Sequence, residues 1–391
     1  MSKWPMVALG DVVDCYSGGT PPKARRDLWA GEVPWFSAKD IKSPRLRDSK
    51  DHISAAAFSE TTLRRIPAGT VTLVARGMIL AHTVPITVIE TSCAINQDLR
   101  ALLPKRDIDS IFLQAVLKAQ HRTLLNRVST AAHGTKKLDL RALQSIEIPL
   151  PPIYEQRRIA AILDRANKQL EDSRQASALL EALKQAMFHK MFSERPSKTV
   201  PLGDLIANHQ LGLDKKTSEL GPQGEFPYLK MDSITSTGGL DLSRTPRVDC
   251  SPEEAAKYSL REGDLIFNTR NARNLVGKST VYRGPATIFN NNILRLRFTR
   301  TVQPDFIHQF LWSKNGRQQL DARKSGTTSV WAIYFKSLKT VQVPVPELKS
   351  QTEFAIQLRK LRDQIQYYRE REASLASLLN SLQVRAFRGE L

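Results

Sequence analysis

The sequence predicts an α+β fold class in which two mixed lobes are each followed by a long helix. Three observations predict it. One half of the chain repeats the other, each half opens on short β-rich runs broken by Gly and Pro, and each half closes on an apolar stripe of helical period. At 391 residues the chain exceeds what one core ordinarily serves, and a 41% hydrophobic fraction with 25% charged residues belongs to a folded protein rather than a disordered one.

The repeat is legible residue by residue. Val7-Ala8-Leu9-Gly10-Asp11 returns as Val200-Pro201-Leu202-Gly203-Asp204, and Gly31-Glu32-Val33-Pro34-Trp35 as Gly224-Glu225-Phe226-Pro227-Tyr228, both displaced by 193 residues. Ala68-Gly69-Thr70-Val71 answers to Glu262-Gly263-Asp264-Leu265, Arg76 to Arg270, and Asn96-Gln97-Asp98-Leu99 to Asn290-Asn291-Asn292-Ile293 at 194. Ile148-Pro149-Leu150-Pro151 matches Val343-Pro344-Val345-Pro346 at 195, so the drift along a whole half is small enough for one shared architecture.

Within the first lobe, Thr70–Val74 and Ile86–Ile89 read as strands. Residues 110–128 read as a helix, with a counterpart at about 305–323. The helix closing the second half is defined by Phe354, Leu358, Leu361, Ile365, Tyr368, Glu372, Leu375, Leu379, Leu382 and Ala386, at alternating steps of four and three. The first half gives Ile159, Leu163, Ala166, Leu170, Ser173, Ser177, Leu180, Lys184, Met187 and Met191 in the same register. A stripe of this period needs a partner stripe, and the nearest is the other repeat; packing each helix on its own lobe would leave the matched register unexplained. Pro151-Pro152 suits the start of the first helix, and Ser350-Gln351-Thr352-Glu353 has capping-box spacing for the second, giving rods of about 38 residues and about 57 Å. The divisions expected are a lobe over residues 1–152, a helix over 153–195, a lobe over 196–346 and a helix over 347–391.

Charge narrows the partner. There are 58 Lys and Arg against 39 Asp and Glu, a net +19, and the surplus is spread over both halves rather than held in a tail. It favours a polyanion, nucleic acid before membrane, because no apolar run approaches the roughly 20 residues a bilayer requires. The N-terminus lacks the pattern of a signal peptide, and Cys15, Cys93 and Cys250 offer neither a disulfide framework nor a metal motif, so a cytoplasmic chain with buried structural thiols is expected.

The segment Ile148-Pro149-Leu150-Pro151-Pro152-Ile153-Tyr154-Glu155-Gln156-Arg157-Arg158-Ile159-Ala160-Ala161-Ile162-Leu163-Asp164 resembles the helical-region hallmark of Type I restriction-modification specificity subunits. Ser17-Gly18-Gly19-Thr20-Pro21-Pro22, leading to Trp29-Ala30-Gly31-Glu32-Val33-Pro34-Trp35, resembles the opening of a target-recognition domain in that family, and Val74-Ala75-Arg76-Gly77 and Asn96-Gln97-Asp98-Leu99 follow in order. The second half departs: it has no Gly-Gly-Thr-Pro, Asn271 follows Arg270, and Gln351 lacks the preceding Glu. The resemblance implies target-recognition domains that each read one half of a bipartite duplex target, and helices that pair as an antiparallel coiled coil fixing the gap. It implies a pseudo-twofold internal repeat suited to docking two methyltransferase (M) subunits, with motor-nuclease (R) subunits joining in the full complex. No cofactor is expected in this chain; S-adenosylmethionine belongs to the methyltransferase partner. The alternatives are the specificity chain of a Type II system with fused methyltransferase and nuclease, and a non-specific nucleic-acid-binding coiled-coil adaptor.

For DNA contact the candidates are cations and amides in loops, the first for phosphates and the second for base edges. In the first lobe they are Lys23, Arg25, Arg26, Lys39, Arg76, Lys136 and Lys137. In the second they are Lys215, Lys216, Lys230, Arg270, Asn271, Arg273, Asn274 and Lys278, with Arg323, Lys324, Thr327 and Thr328 around Gly326. Trp35 and Tyr228, each after a proline, read as core rather than as stacking platforms. No catalytic or metal-binding residue is expected. Leu150-Pro151-Pro152-Ile153-Tyr154 lacks the Asn or Asp with which an adenine methyltransferase holds the amino group, no P-loop or nucleophile elbow is present, and the seven His are scattered. Pro304-Asp305 with Glu347-Leu348-Lys349 imitates a nuclease's acidic metal triad only loosely, because the separation is wide.

Overall fold

The computed structural model describes residues 3–131, 134–192, 197–243, 245–326 and 330–391. The chain forms two compact units, one of Met1–Arg174 with Glu370–Leu391, the other of Gln175–Arg369. Among the described residues no helix is long and apolar enough to cross a membrane.

In the first unit, β1 (Met6–Ala8) pairs antiparallel with β12 (Glu147–Pro149), clasping the two ends of the lobe together. Between them lie β2 (Val13–Ser17), β3 (Val33–Phe36), β4 (Arg45–Leu46), β5 (Asp51–Ile53), β6 (Thr70–Val74), β7 (Ile86–Ile89), β8 (Ala94–Ile95), β9 (Leu99–Pro104), β10 (Val128–Thr130) and β11 (Lys136–Leu138). The main sheet runs β2-β9-β6-β7-β4, a second runs β5-β3-β8, and β10-β11 is a hairpin. The second unit repeats this with β13 (Lys198–Pro201), β14 (Ile206–Leu211), β15 (Phe226–Leu229), β16 (Arg247–Val248), β17 (Ser259–Leu260), β18 (Leu265–Asn268), β19 (Arg270–Asn271), β20 (Ser279–Val281), β21 (Thr287–Phe289), β22 (Ile293–Phe298), β23 (Ser325–Gly326), β24 (Trp331–Ala332) and β25 (Gln342–Val345). Its order β14-β22-β18-β20 matches β2-β9-β6-β7, β16-β15-β21 matches β5-β3-β8, and β13-β25 is the same clasp. The turns into β6 and β18 each need a left-handed residue, and Gly69 (φ +82°) and Gly263 (φ +88°) supply it.

The longer helices are α1 (Ser110–Ala119), α2 (Ile153–Phe192), α3 (Pro304–Trp312) and α4 (Leu348–Arg388). The helix expected over 110–128 is two helices: α1 stops at Gln120, a second covers His121–Asn126, and Val128 already begins β10. The counterpart at 305–323 also divides, because Ser313 caps a new helix, Lys314–Asp321, with its hydroxyl accepting from Gly316 N. The second long helix begins at Leu348, ahead of the capping box expected at Ser350, so Ser350 lies within its first turn.

Both α2 and α4 pass through both units, and within each unit they run antiparallel. In the first unit Ile159, Ala160 and Leu163 share a core with Ala386, against which Leu379, Leu382 and Phe387 also pack. Arg174 Nε pairs with Glu372 Oε1 at 2.8 Å, which accounts for the one charged position in the α4 stripe. In the second unit Phe188 and Phe192 of α2 interlock with Phe354 of α4 and Phe306 of α3, at ring-centroid separations of 5.0–5.6 Å, and Arg369 pairs with Glu181 at 2.9 Å. Every member of both stripes is buried or half-buried. Of the three thiols, only Cys93 is fully buried; Cys15 and Cys250 are half-buried.

One joint recurs where each long helix meets its lobe. The Gln156 carboxamide accepts from Asp109 N at 2.9 Å and donates to Pro151 O at 2.9 Å. Gln351 accepts from Gln303 N at 2.9 Å and donates to Pro346 O at 2.8 Å. Asp109 and Gln303 are the N-cap residues of α1 and α3, so each glutamine ties the root of a long helix to the start of a lobe helix. Both side chains are almost fully excluded from water, so replacing either by alanine strands a buried amide and a buried carbonyl, at about 1–3 kcal/mol for each group. A lowered urea midpoint for Gln156→Ala and for Gln351→Ala, with the corresponding Glu variants no better, is the expected outcome. Phe306→Ala, which opens the aromatic cluster, is expected to cost about 3–5 kcal/mol in the same measurement.

Candidate nucleic-acid interface

In the first lobe five segments are laced together by backbone bonds. Gly19 N donates to Ile95 O (3.0 Å), Arg76 N to Asp98 O (3.2 Å) and Gly77 N to Lys136 O (3.0 Å), while Asn96 N reaches Phe36 O (2.8 Å) just before Lys39. The loop at 18–23, the exit of β3, the turn at 96–98, the Arg76 segment and the β10-β11 hairpin are therefore neighbours along one edge. The second lobe builds the same edge: Leu213 N to Phe289 O (2.8 Å), Asn290 N to Leu229 O (2.9 Å), Thr269 N to Asn292 O (2.9 Å), and Arg270-Asn271 paired with Trp331-Ala332.

The supports repeat as closely. Asn96 Oδ1 accepts from Asp98 N at 3.1 Å and Asn290 Oδ1 from Asn292 N at 2.9 Å, so each turn is held by its own asparagine. Trp35 and Tyr228 are buried, and their polar tips hold the first loop, Trp35 Nε1 on Gly19 O (3.0 Å) and Tyr228 Oη on Leu213 O (2.7 Å). The absent Gly-Gly-Thr-Pro of the second half is only partly absent. Gly212 takes the place of Gly18: a Cβ on either would sit about 2 Å from a backbone oxygen, Ile95 O at 1.8 Å or Phe289 O at 2.1 Å.

Most candidates lie on this edge, exposed or half-exposed: Lys23, Lys39, Arg76, Lys136 and Lys137 in one lobe, Lys230, Arg270, Asn271, Arg273 and Asn274 in the other, with Arg26 and Lys216 exposed nearby in sequence. Several have protein partners. Arg25 is held by Asp27 and Glu60, Lys137 by Asp139, and Lys215 by Glu254. Arg270 lies over Tyr334 and Arg273 over Trp331. Arg273, Asn274, Asp321, Lys324 and Trp331 line a cavity of about 490 Å³, where Lys324 Nζ donates to Arg273 O at 2.8 Å.

Two candidates do not fit. Lys278 is buried, its ammonium on Ile234 O and its pKa pulled down by loss of water, so it supports the loop at 231–240 rather than facing a ligand. Arg323 braces a helix end, bonding Thr340 Oγ1 (3.0 Å), Thr340 O (3.0 Å) and Gln319 O (2.8 Å). Thr327 and Thr328 lie outside the described residues. Conversely, the edge includes exposed Gln97 and half-buried Asn291 and Arg100, which were not among the candidates. The motif Asn96-Gln97-Asp98-Leu99, matched by Asn290-Asn291-Asn292-Ile293, was the signal for Gln97 and Asn291. Asp305 is no metal ligand: its two oxygens are taken by Arg283 and Arg362, each at 2.6 Å.

Residues 1–182 and 194–376 match the family model described as Type I restriction modification DNA specificity domain. The chain belongs to this family. Two copies of the family's domain account for the internal repeat. Among relatives, the Type I restriction enzyme EcoR124I/EcoR124II specificity subunit of Escherichia coli is 31% identical over 40% of this chain and 39% of its own length. The EcoKI specificity subunit of Escherichia coli strain K12 is 24% identical over 76% of this chain and 69% of its own. The solved S subunit of a Type I restriction-modification system from M. genitalium has the same fold, with a TM-score of 0.65 at 15% identity over 99% of this chain and 96% of that one.

The first loop carries a sharp test of this edge. Gly18→Ala and Gly212→Ala must push the loop off Ile95 or Phe289, because backbone cannot yield to a Cβ at 2 Å. Faster amide exchange at Gly19 or Leu213 is the expected outcome. Gly19→Ala, which meets only Leu63 Cδ2 at 3.5 Å, should leave exchange unchanged.

Proposed function

We propose that this chain is the DNA-reading specificity subunit of a Type I restriction-modification system, each lobe reading one half of a bipartite duplex target. The observation that carries the reading is the same cation- and amide-bearing edge built twice, in two copies of a DNA specificity domain, on a chain of net charge +19. Arg76, Lys39, Lys136 and Lys137, with Lys23, Arg25 and Arg26, supply phosphate contacts and Arg–guanine pairing in the first half-site. Arg270, Asn271, Arg273 and Asn274 do so in the second, with Lys215, Lys216, Lys230 and Lys324 as further cations. Bidentate arginine and asparagine contacts specify, while lysines fix register.

The paired helices serve as a spacer, and their flanks dock two methyltransferase subunits, which bind S-adenosylmethionine and perform the transfer; motor-nuclease subunits complete the assembly. The chain itself reads and does not react. Its place of action is the cytoplasm, where the DNA is.

Inserting one heptad into both α2 and α4 adds about 10 Å, or about three base pairs at 3.4 Å each. Maps of methylated adenine in cells carrying the altered chain should show the gap widened by about three base pairs and both half-sequences unchanged; altered half-sequences at an unchanged gap would sink the spacer role. Arg76→Ala and Arg270→Ala should each weaken binding by about 1–3 kcal/mol and relax one position of one half-site only, read by titration at fixed salt. Equal affinity of the full chain for every duplex would leave the adaptor reading in its place.

A further inference from the structure

The loop joining β6 to β7 carries an unusual pair for a cationic edge. Met78 is 64% exposed and Ile79 45% exposed, just past Arg76-Gly77 and beside Lys136, whose carbonyl receives Gly77 N at 3.0 Å. Single apolar side chains on a surface need no explanation, but two adjacent exposed ones beside Arg76 and Lys136 do. The tip is not a loose arm. Leu80 is buried beneath it, Leu80 N bonds Gly77 O at 3.2 Å, and Thr83 N bonds Ile79 O at 3.0 Å, closing a short, tight turn. The loop in the same place of the second lobe, after Arg270, presents Ala272-Arg273-Asn274, with Arg273 and Asn274 exposed.

We propose that Met78 and Ile79 form an apolar reading tip that packs on thymine 5-methyl groups in the major groove, so that the first lobe reads part of its half-site by apolar contact and the second lobe reads the equivalent part by hydrogen bonds. This rests on the DNA-reading role proposed above. The major-groove edges of the four base pairs are hydrogen-bonding groups with one apolar exception, the thymine methyl. An apolar tip pressed among them by Arg76 and Lys136 gains only where that methyl is present. Elsewhere it covers donors and acceptors it cannot satisfy, and that penalty is itself discrimination. A short turn anchored by Leu80 reaches a base edge without the long lever that prising base pairs apart requires.

The test replaces each thymine of the mapped target by deoxyuridine, which removes only the methyl, and measures binding of the full chain at fixed salt. The wild type should lose about fourfold, the value of one buried methyl-sized group, at one or more positions confined to one half-site. The Met78→Ser/Ile79→Ser double variant should show no such loss there, while still discriminating the other half-site as the wild type does. Because both residues are exposed, its melting curve should match the wild type, and the wild-type half of the experiment needs no variant. The proposal is overturned if sequence-specific binding persists with no thymine dependence, or if the double variant keeps that dependence. It is also overturned if 2-aminopurine beside the site brightens without any effect of the methyl, which would mark a wedge between base pairs. Loss of all sequence preference in the wild type would instead remove the DNA-reading role itself.

Discussion

Each long helix carries in its first turn a carboxamide almost sealed from water, and the placement of a whole lobe rests on it. Gln156 and Gln351 each satisfy two backbone groups: the N–H of a lobe-helix cap residue and the carbonyl of the proline segment leading into the rod. A carboxamide can donate and accept at once, which no carboxylate or hydroxyl of similar reach does in this geometry. The clasps β1-β12 and β13-β25 end beside these joints, so the chain enters and leaves each lobe at the root of a helix. A small angular change at the root would be magnified at the loop edge of the lobe. A buried, fully satisfied polar pair restricts such a change more sharply than apolar contact, which slides at little cost.

The rods show how the same economy is applied along their length. Polar members of the two stripes are not gaps in the pairing. Glu372 meets Arg174, Glu181 meets both Lys184 and Arg369, and Ser173 is buried where a larger side chain would hold the helices apart. Partly exposed pairs of this kind add little stability. Their effect is on register, because a one-turn slip would bring Glu372 and Glu181 against apolar neighbours. Stability comes instead from the ends, where Phe188, Phe192, Phe306 and Phe354 interlock in one unit and Ala386 and Phe387 close on the lobe core in the other.

The fold was largely legible because its signals are periodic or local. The stripes follow from spacing alone, the strands at Thr70–Val74 and Ile86–Ile89 from β-branched runs, and the turns before β6 and β18 from Gly69 and Gly263. What escaped were features set by a distant partner. Nothing near Lys278 announces that Ile234 O waits for its ammonium, nor near Arg323 that Thr340 lies within reach. Gly212 could not be recognised as the partner of Gly18 because the requirement is a carbonyl some eighty residues away rather than any neighbouring residue. The helices over 110–128 and 305–323 were over-extended for a similar reason: apolar periodicity continues past Gln120 and Ser313, and only the cap geometry reveals the break.

The two lobes also show why the outward side chains of this edge can differ while its frame does not. On this edge, loop position is fixed by backbone-to-backbone bonds, by one asparagine per turn and by the polar tip of one buried aromatic. The side chains that face outward take little part in that framework. Thr20 in one lobe stands where Asp214 stands in the other, and Lys136 where Trp331 stands, with no change in strand order. Substitutions at such positions fall where effects on stability are smallest. A frame held by its own amides and carbonyls can therefore accept a different set of outward side chains in each copy. Two lobes of one descent can then present unlike chemistry, apolar at Met78-Ile79 and hydrogen-bonding at Arg273-Asn274, without either lobe having to refold to do so.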